Sequence, residues 1–250
     1  MVRTNWTRDE LIVAFNLYCK TPFGRIHIRN PEIITLAKAL GRTPSAVSWK
    51  LANFASLDPS LKKRNIAGAT HGGRLEKEVW TEFNEDWERL SFESETVRLR
   101  ITSQPQQQEE EQLYPEGRTR EAIIRTRVNQ SFFRAAVLAA YDSTCCITGI
   151  TISELLCASH IIPWSQDIKN RTNPRNGLCL NAIHDRAFDR GLLTITFEYE
   201  VMISPRIRPM RGQGLEALIH KYDHAKIRVP DRFPPERKFL QYHQEHIFQR

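Results

Sequence analysis

No single core can run through residues 103–117. The stretch reads SQPQQQEEEQLYPEG, with Pro105, Pro115, a glutamine run, an acidic run and almost nothing apolar. It cannot bury enough surface to offset its ordering entropy, so it predicts a flexible linker. The chain of 250 residues then divides into 1–102 and 118–250, each long enough for its own core.

The first part predicts an all-helical domain. Thr7 can cap a helix over Arg8–Lys20 with Leu11, Ala14, Phe15 and Tyr18 along one face. Pro31 opens a second helix that Gly41 ends, and Thr43 with Pro44 opens a third that runs towards Leu57. Two helices joined by so short a turn have the layout of a helix-turn-helix, whose second helix enters the DNA major groove. On that reading Arg42, Ser45, Ser48, Lys50 and Asn53 face the groove, with Lys62, Lys63 and Arg64 meeting phosphates. A plain helical bundle is the alternative. Ala67–Arg74 could form a wing-like loop, and one long amphipathic helix is expected from Leu75 to about Arg100, apolar along Val79, Phe83, Trp87, Leu90 and Val97.

Charge supports nucleic acid as the partner. The net charge is +7, and residues 1–74 carry 12 Lys/Arg against 4 Asp/Glu, whereas residues 75–117 carry 4 against 12. Residues 118–250 return to 20 against 13, so two basic blocks flank an acidic one that reads as a connector. No apolar run approaches the ~20 residues of a membrane span, and residues 1–10 show no leader-like apolar stretch. A cytoplasmic protein is expected, associated with the nucleoid when bound to DNA. Five cysteines without a C-x-x-C pair argue against a disulfide framework or a structural zinc site.

The second part carries the chemistry. After a helix over about Asn129–Tyr141 and a turn around Gly149, an apolar strand ends at Ser159-His160. A polar loop over Asn170–Arg175 leads to a second strand from Asn176, and residues 181–190 form a helix stopped by Gly191. A histidine at a strand end is held rigidly and can be neutral near pH 7, as a general base must be. Asp185 and Asp189 are four apart and share a helix face, a carboxylate pair suited to Mg²⁺ or Mn²⁺. His184 is adjacent and could add a nitrogen ligand. Arg175, Arg186 and Arg190 lie near enough in sequence to meet substrate phosphates.

The ordered blocks CCITG, LLCASHIIPW, NPRNGLCL and HDRAFDRGLLTI resemble HNH endonucleases, the ββα-metal nucleases, over about residues 127–248. The resemblance implies an α+β protein: an N-terminal helix-turn-helix-like domain and a C-terminal ββα-metal nuclease domain. It implies His160 as base, Asn176 as a brace for the loop, and metal ligands on the final helix, with Asp185 ahead of His184 and Asp189. Many relatives carry Asp or His just before the base, where this chain has Ser159. The expected function is a metal-dependent DNA endonuclease of restriction or defence type, acting as a possible homodimer for double-strand cuts. The alternative is a DNA-binding regulator whose HNH domain has lost its chemistry.

Overall fold

The computed structural model describes residues 5–62, 73–102 and 118–250. The expected linker 103–117, the residues Lys63 and Arg64, and most of the wing-like loop fall outside the described residues. The chain forms two compact units, Met1–Ala135 and Ala136–Arg250. It mixes helices with two small antiparallel sheets, an α+β architecture.

The first unit is helical throughout its described part. Helix α1 (Arg8–Lys20) starts with a capping box: Thr7 Oγ1 accepts from Glu10 N, and the Glu10 carboxylate accepts from Thr7 N. Helix α2 (Pro31–Ala39) is capped by Asn30 and α3 (Pro44–Leu57) by Thr43, each with proline at its first position. Between them Gly41 takes φ +63°, a conformation open to glycine at no steric cost. Short α4 (Pro59–Lys62) follows.

The single helix expected from Leu75 is broken in two, α5 (Arg74–Phe83) and α6 (Trp87–Thr102). The break has a local cause: the Asp86 carboxylate accepts from Arg89 N and so starts a new helix. The bend lets Trp80 and Trp87 both approach Phe15, whose ring lies 5.1 Å and 6.3 Å from theirs and 4.8 Å from Phe54. This aromatic cluster is the centre of the unit. Helix α7 (Arg118–Ala140) starts earlier than its apolar pattern suggested, and its Phe132 stacks on Trp87 at 6.4 Å.

The second unit is built on an antiparallel pair, β1 (Leu156–His160) and β2 (Gly177–Asn181), with His160 opposite Gly177. Helix α8 (Ala182–Asp189) leaves β2 directly and packs on both strands, completing a ββα unit. A second pair, β3 (Leu193–Ile195) and β4 (Val201–Ile203), has no counterpart in the sequence reading. Helices α9 (Gln213–Leu218) and α10 (Arg237–His246) follow. All five cysteines are free thiols, and only Cys157 is not fully buried.

The end of α8 is pinned. Gly191 takes φ +64°, and a Cβ built there would sit 2.0 Å from the Ile247 carbonyl oxygen. Gln249 N donates to Gly191 O at 2.9 Å and Gln249 Nε2 to Arg190 O at 2.7 Å. His243 Nε2 donates to Phe188 O at 3.0 Å, and its ring stacks on Phe188 at 3.7 Å.

Candidate active site

His160 closes β1, and its ring is oriented by backbone. Its Nε2 lies 2.8 Å from the Arg171 carbonyl oxygen. A carbonyl only accepts, so Nε2 carries the hydrogen and the lone pair of the neutral ring sits on Nδ1. Trp164 stands edge-on to the imidazole at 5.5 Å, and the Arg171 guanidinium lies over Trp164 at 5.1 Å. Burial lowers the His160 pKa below its ordinary value. The bond to Arg171 and the charge of Asp185 push the other way without cancelling it. The ring is therefore neutral near pH 7, as a proton acceptor must be.

Asn176 holds the loop that supplies this carbonyl. It is fully buried. Its Oδ1 accepts from Ile162 N at 2.8 Å, and its Nδ2 donates to Ile162 O at 3.1 Å and Asn170 O at 3.3 Å. The main chain adds Ile161 N donating to Asn176 O at 2.9 Å. The side chain thus clamps the segment after His160 to the loop before β2. All of these side-chain bonds go to main-chain groups of the two segments.

Helix α8 presents Asp185 and Asp189 one turn apart. Burial raises the Asp189 pKa most, and the Asp185 charge raises it further, against Arg186 and Arg190. Asp185 therefore acts on both His160 and Asp189, which brings the three into one electrostatic neighbourhood. Two carboxylates that repel each other gain from a cation between them, so the residues fit a hard divalent ion. Among the described residues no three His, Cys, Asp or Glu side chains form a ready metal cage. Mg²⁺ needs none, because it keeps several waters and often takes one or two carboxylates plus substrate phosphate.

His184 lies elsewhere. It is buried, with 1% of its surface exposed, and its Nδ1 is 2.8 Å from Asn181 Nδ2. Asn181 Oδ1 caps α8 by accepting from Ile183 N and His184 N, both at 3.0 Å, which turns its amide nitrogen to the imidazole. Cys145 joins the same cluster, its Sγ accepting from Asn181 N at 3.3 Å and from Asn181 Nδ2 at 3.8 Å. The expected ligand is thus drawn into a cluster with Asn181, Cys145 and Tyr222, because successive helical residues point about 100° apart.

Ser159, before the base, is 2% exposed, and its Oγ has no hydrogen-bond partner. Strand pleating turns it to the face opposite His160. Of the expected phosphate contacts, Arg186 and Arg190 are exposed on α8, whereas Arg175 is half-buried with its guanidinium 5.4 Å from the Phe233 ring. The sequence also offers Arg171 as a phosphate contact, but it could not show that the Arg171 carbonyl, a group common to every residue, sets the His160 tautomer.

In the first unit the expected groove-facing set separates. Arg42 pairs with Glu10 at 2.7 Å and lies over Trp6 at 4.3 Å. Lys50 pairs with Glu76, and buried Asn53 donates to the same carboxylate at 3.1 Å. Burial pushes the Glu76 carboxyl up, but Lys50 and Asn53 together hold it below the ordinary carboxylate range. These three side chains are turned into the bundle. Ser45 is exposed, Ser48 half-exposed, and Trp49 on the same stretch of α3 is 61% exposed.

The family model described as HNH endonuclease matches residues 145–196. That span contains β1, β2 and α8 with His160, Asn176, Asp185 and Asp189, and over it the chain is similar to HNH endonucleases. No curated protein matches the chain.

Proposed function

We propose that the protein is a metal-dependent DNA endonuclease in which His160 is the general base and Asp185 and Asp189 hold the cation. The observation that carries this reading is the His160–Arg171 bond beside the Asp185 charge: a neutral imidazole with a defined lone pair, next to a carboxylate pair. His160 Nδ1 takes a proton from the attacking water, and the fixed ring orientation removes the rotational cost of finding it. Asp185 and Asp189 would hold Mg²⁺ or Mn²⁺, which when bound stabilises charge on the phosphorane and the leaving oxygen. Arg186 on the same helix and Arg190 at its C-cap would receive phosphate oxygens.

One such centre cuts one strand, so double-strand cleavage needs a second copy or sequential nicks. The helical unit would select the target, and a restriction or defence role accounts for a nuclease paired with a reader. Cytoplasmic location follows from that role; no helix of the described residues is long and apolar enough to cross a membrane. The second reading, a regulator that has lost catalysis, is favoured by Ser159 alone, which offers no ligand beside the base.

Plasmid nicking separates the two. Supercoiled DNA should be relaxed with Mg²⁺ or Mn²⁺ and left intact with chelator. His160→Ala should lower the rate at least about 100-fold, the usual contribution of general-base catalysis, with DNA affinity retained. Asp185→Asn should raise the metal concentration needed. Nicking by His160→Ala at the parental rate would remove this mechanism.

A further inference from the structure

About 100° round α8 from Asp185, on the side that bears His184, the second unit holds a cavity of about 310 Å³. Ile150, Leu155, Ile183 and Leu218 wall it. Three of these are large hydrophobics left open to solvent: Leu155 is 46%, Ile183 49% and Leu218 46% exposed. Folded chains rarely gather exposed apolar side chains around one hollow unless something covers them. Tyr222 forms a further wall, its ring perpendicular to the His184 imidazole at 5.2 Å. Exposed Lys221 also lines the cavity, with its ammonium 4.8 Å from the Tyr222 ring.

The polar chemistry is one-sided. His184 Nδ1 accepts from the Asn181 amide, so Nε2 bears the ring's hydrogen. That Nε2 is buried and has no hydrogen-bond partner. The cavity therefore offers a buried donor from His184 and a cation from Lys221. Thr148 and Asn181 also line it, but their side-chain oxygens already accept, Thr148 Oγ1 from Asn181 Nδ2 and Ile150 N, Asn181 Oδ1 from Ile183 N and His184 N; the remaining walls are hydrocarbon and aromatic. A ligand bringing donors of its own would strand them there, whereas an acceptor-only anion would not.

We propose that this cavity binds a small apolar carboxylate, with an oxygen on His184 Nε2–H, the charge towards Lys221 and the hydrocarbon body against Leu155, Ile183 and Leu218. The site is separate from the proposed catalytic centre and does not depend on the nuclease reading.

Calorimetric titration of the full chain with benzoate, and with benzamidine as a probe of the same shape but opposite charge and donors only, tests it. Benzoate should saturate a single site, and benzamidine should bind at least tenfold more weakly. Leu218→Trp fills the hollow from its exposed rim and should abolish benzoate binding with the circular dichroism spectrum unchanged. Lys221→Ala, a change at an exposed side chain, should weaken benzoate roughly tenfold. His184→Phe should also abolish binding; if that variant or Leu218→Trp fails to fold, Lys221→Ala decides. Absence of saturable benzoate binding, equal binding of benzamidine, or benzoate affinity untouched by Lys221→Ala or by a folded Leu218→Trp would each overturn the assignment.

Discussion

At His160 and His243 the same physical cause gives two different consequences. Burial lowers both pKa values. On the proposed mechanism the neutral His160 ring is the reactive form, so nicking should rise with pH through a midpoint below 6.5 and level off by neutrality. Binding a cation at Asp185 weakens the charge that raises this pKa and moves the limb in the same direction. A limb centred above 7 in initial-rate measurements would contradict the assignment. His243 is held neutral between Thr194 Oγ1 at 2.8 Å and Phe188 O, and burial pushes its pKa down to about 4. Its folded value lies below the ordinary 6.5, so below pH 6.5 the unfolded chain takes up a proton that the folded one refuses. Stability is then lost as pH falls from 6.5 to about 4, by about 3 kcal/mol over the full interval. His243→Gln, which keeps a donor for Phe188, should flatten that part of the denaturation curve; an unchanged acid slope by urea titration would refute it. His160 was legible from the sequence because a strand-end histidine sits in four ordered blocks. His243 was not legible in this way, since residue type does not reveal whether a histidine is wedged against a ring.

Elements were easiest to read where caps mark them. Thr7, Asn30 and Thr43 cap as side-chain chemistry demands, and the starts of α1, α2 and α3 follow. The break between α5 and α6 was missed because the apolar stripe continues across Asn84–Asp86, and only the Asp86 cap interrupts it. The β3–β4 hairpin was missed because its strands are three residues each, too short for alternation to register. Within α8, the four-residue spacing puts Asp185 and Asp189 one turn apart, but side-chain competition decided His184: the Asn181 cap claims it. The other end of the helix depends on Gly191. Gly191→Ala should cost at least about 2 kcal/mol, from its positive φ together with the collision at Ile247 O. Thermal melting would measure this, and a change under about 0.5 kcal/mol, the range of ordinary surface substitutions, would show that the tail yields freely.

Over the molecule, charge proves less informative by block than by partner. The acidic segment read as a connector contributes α5 and α6, and its carboxylates neutralise cations of the basic block: Arg8 pairs with Glu82 and Glu93, and Lys50 with Glu76. DNA binding by the helical unit should therefore depend less steeply on salt than twelve basic residues suggest. On the proposed reader role, the exposed Trp49 and Ser45 of α3 are the side chains left open to meet DNA. Trp49→Ala should weaken binding of the full chain to duplex DNA several-fold with the salt slope unchanged, because indole neutralises no phosphate. Unaltered affinity would move the reader to another face. The closure of α8 by residues 243–249 carries a consequence for how the enzyme is made. Asp185 and Asp189 leave the ribosome about sixty residues before Gln249, a delay of several seconds at ordinary elongation rates. During that time the helix end lacks the contacts that fasten it, so a nascent chain holds every proposed catalytic side chain without a finished centre. On the proposed nuclease reading, cleavage would be postponed until translation has passed the tail, a timing safeguard wherever DNA lies beside the ribosome.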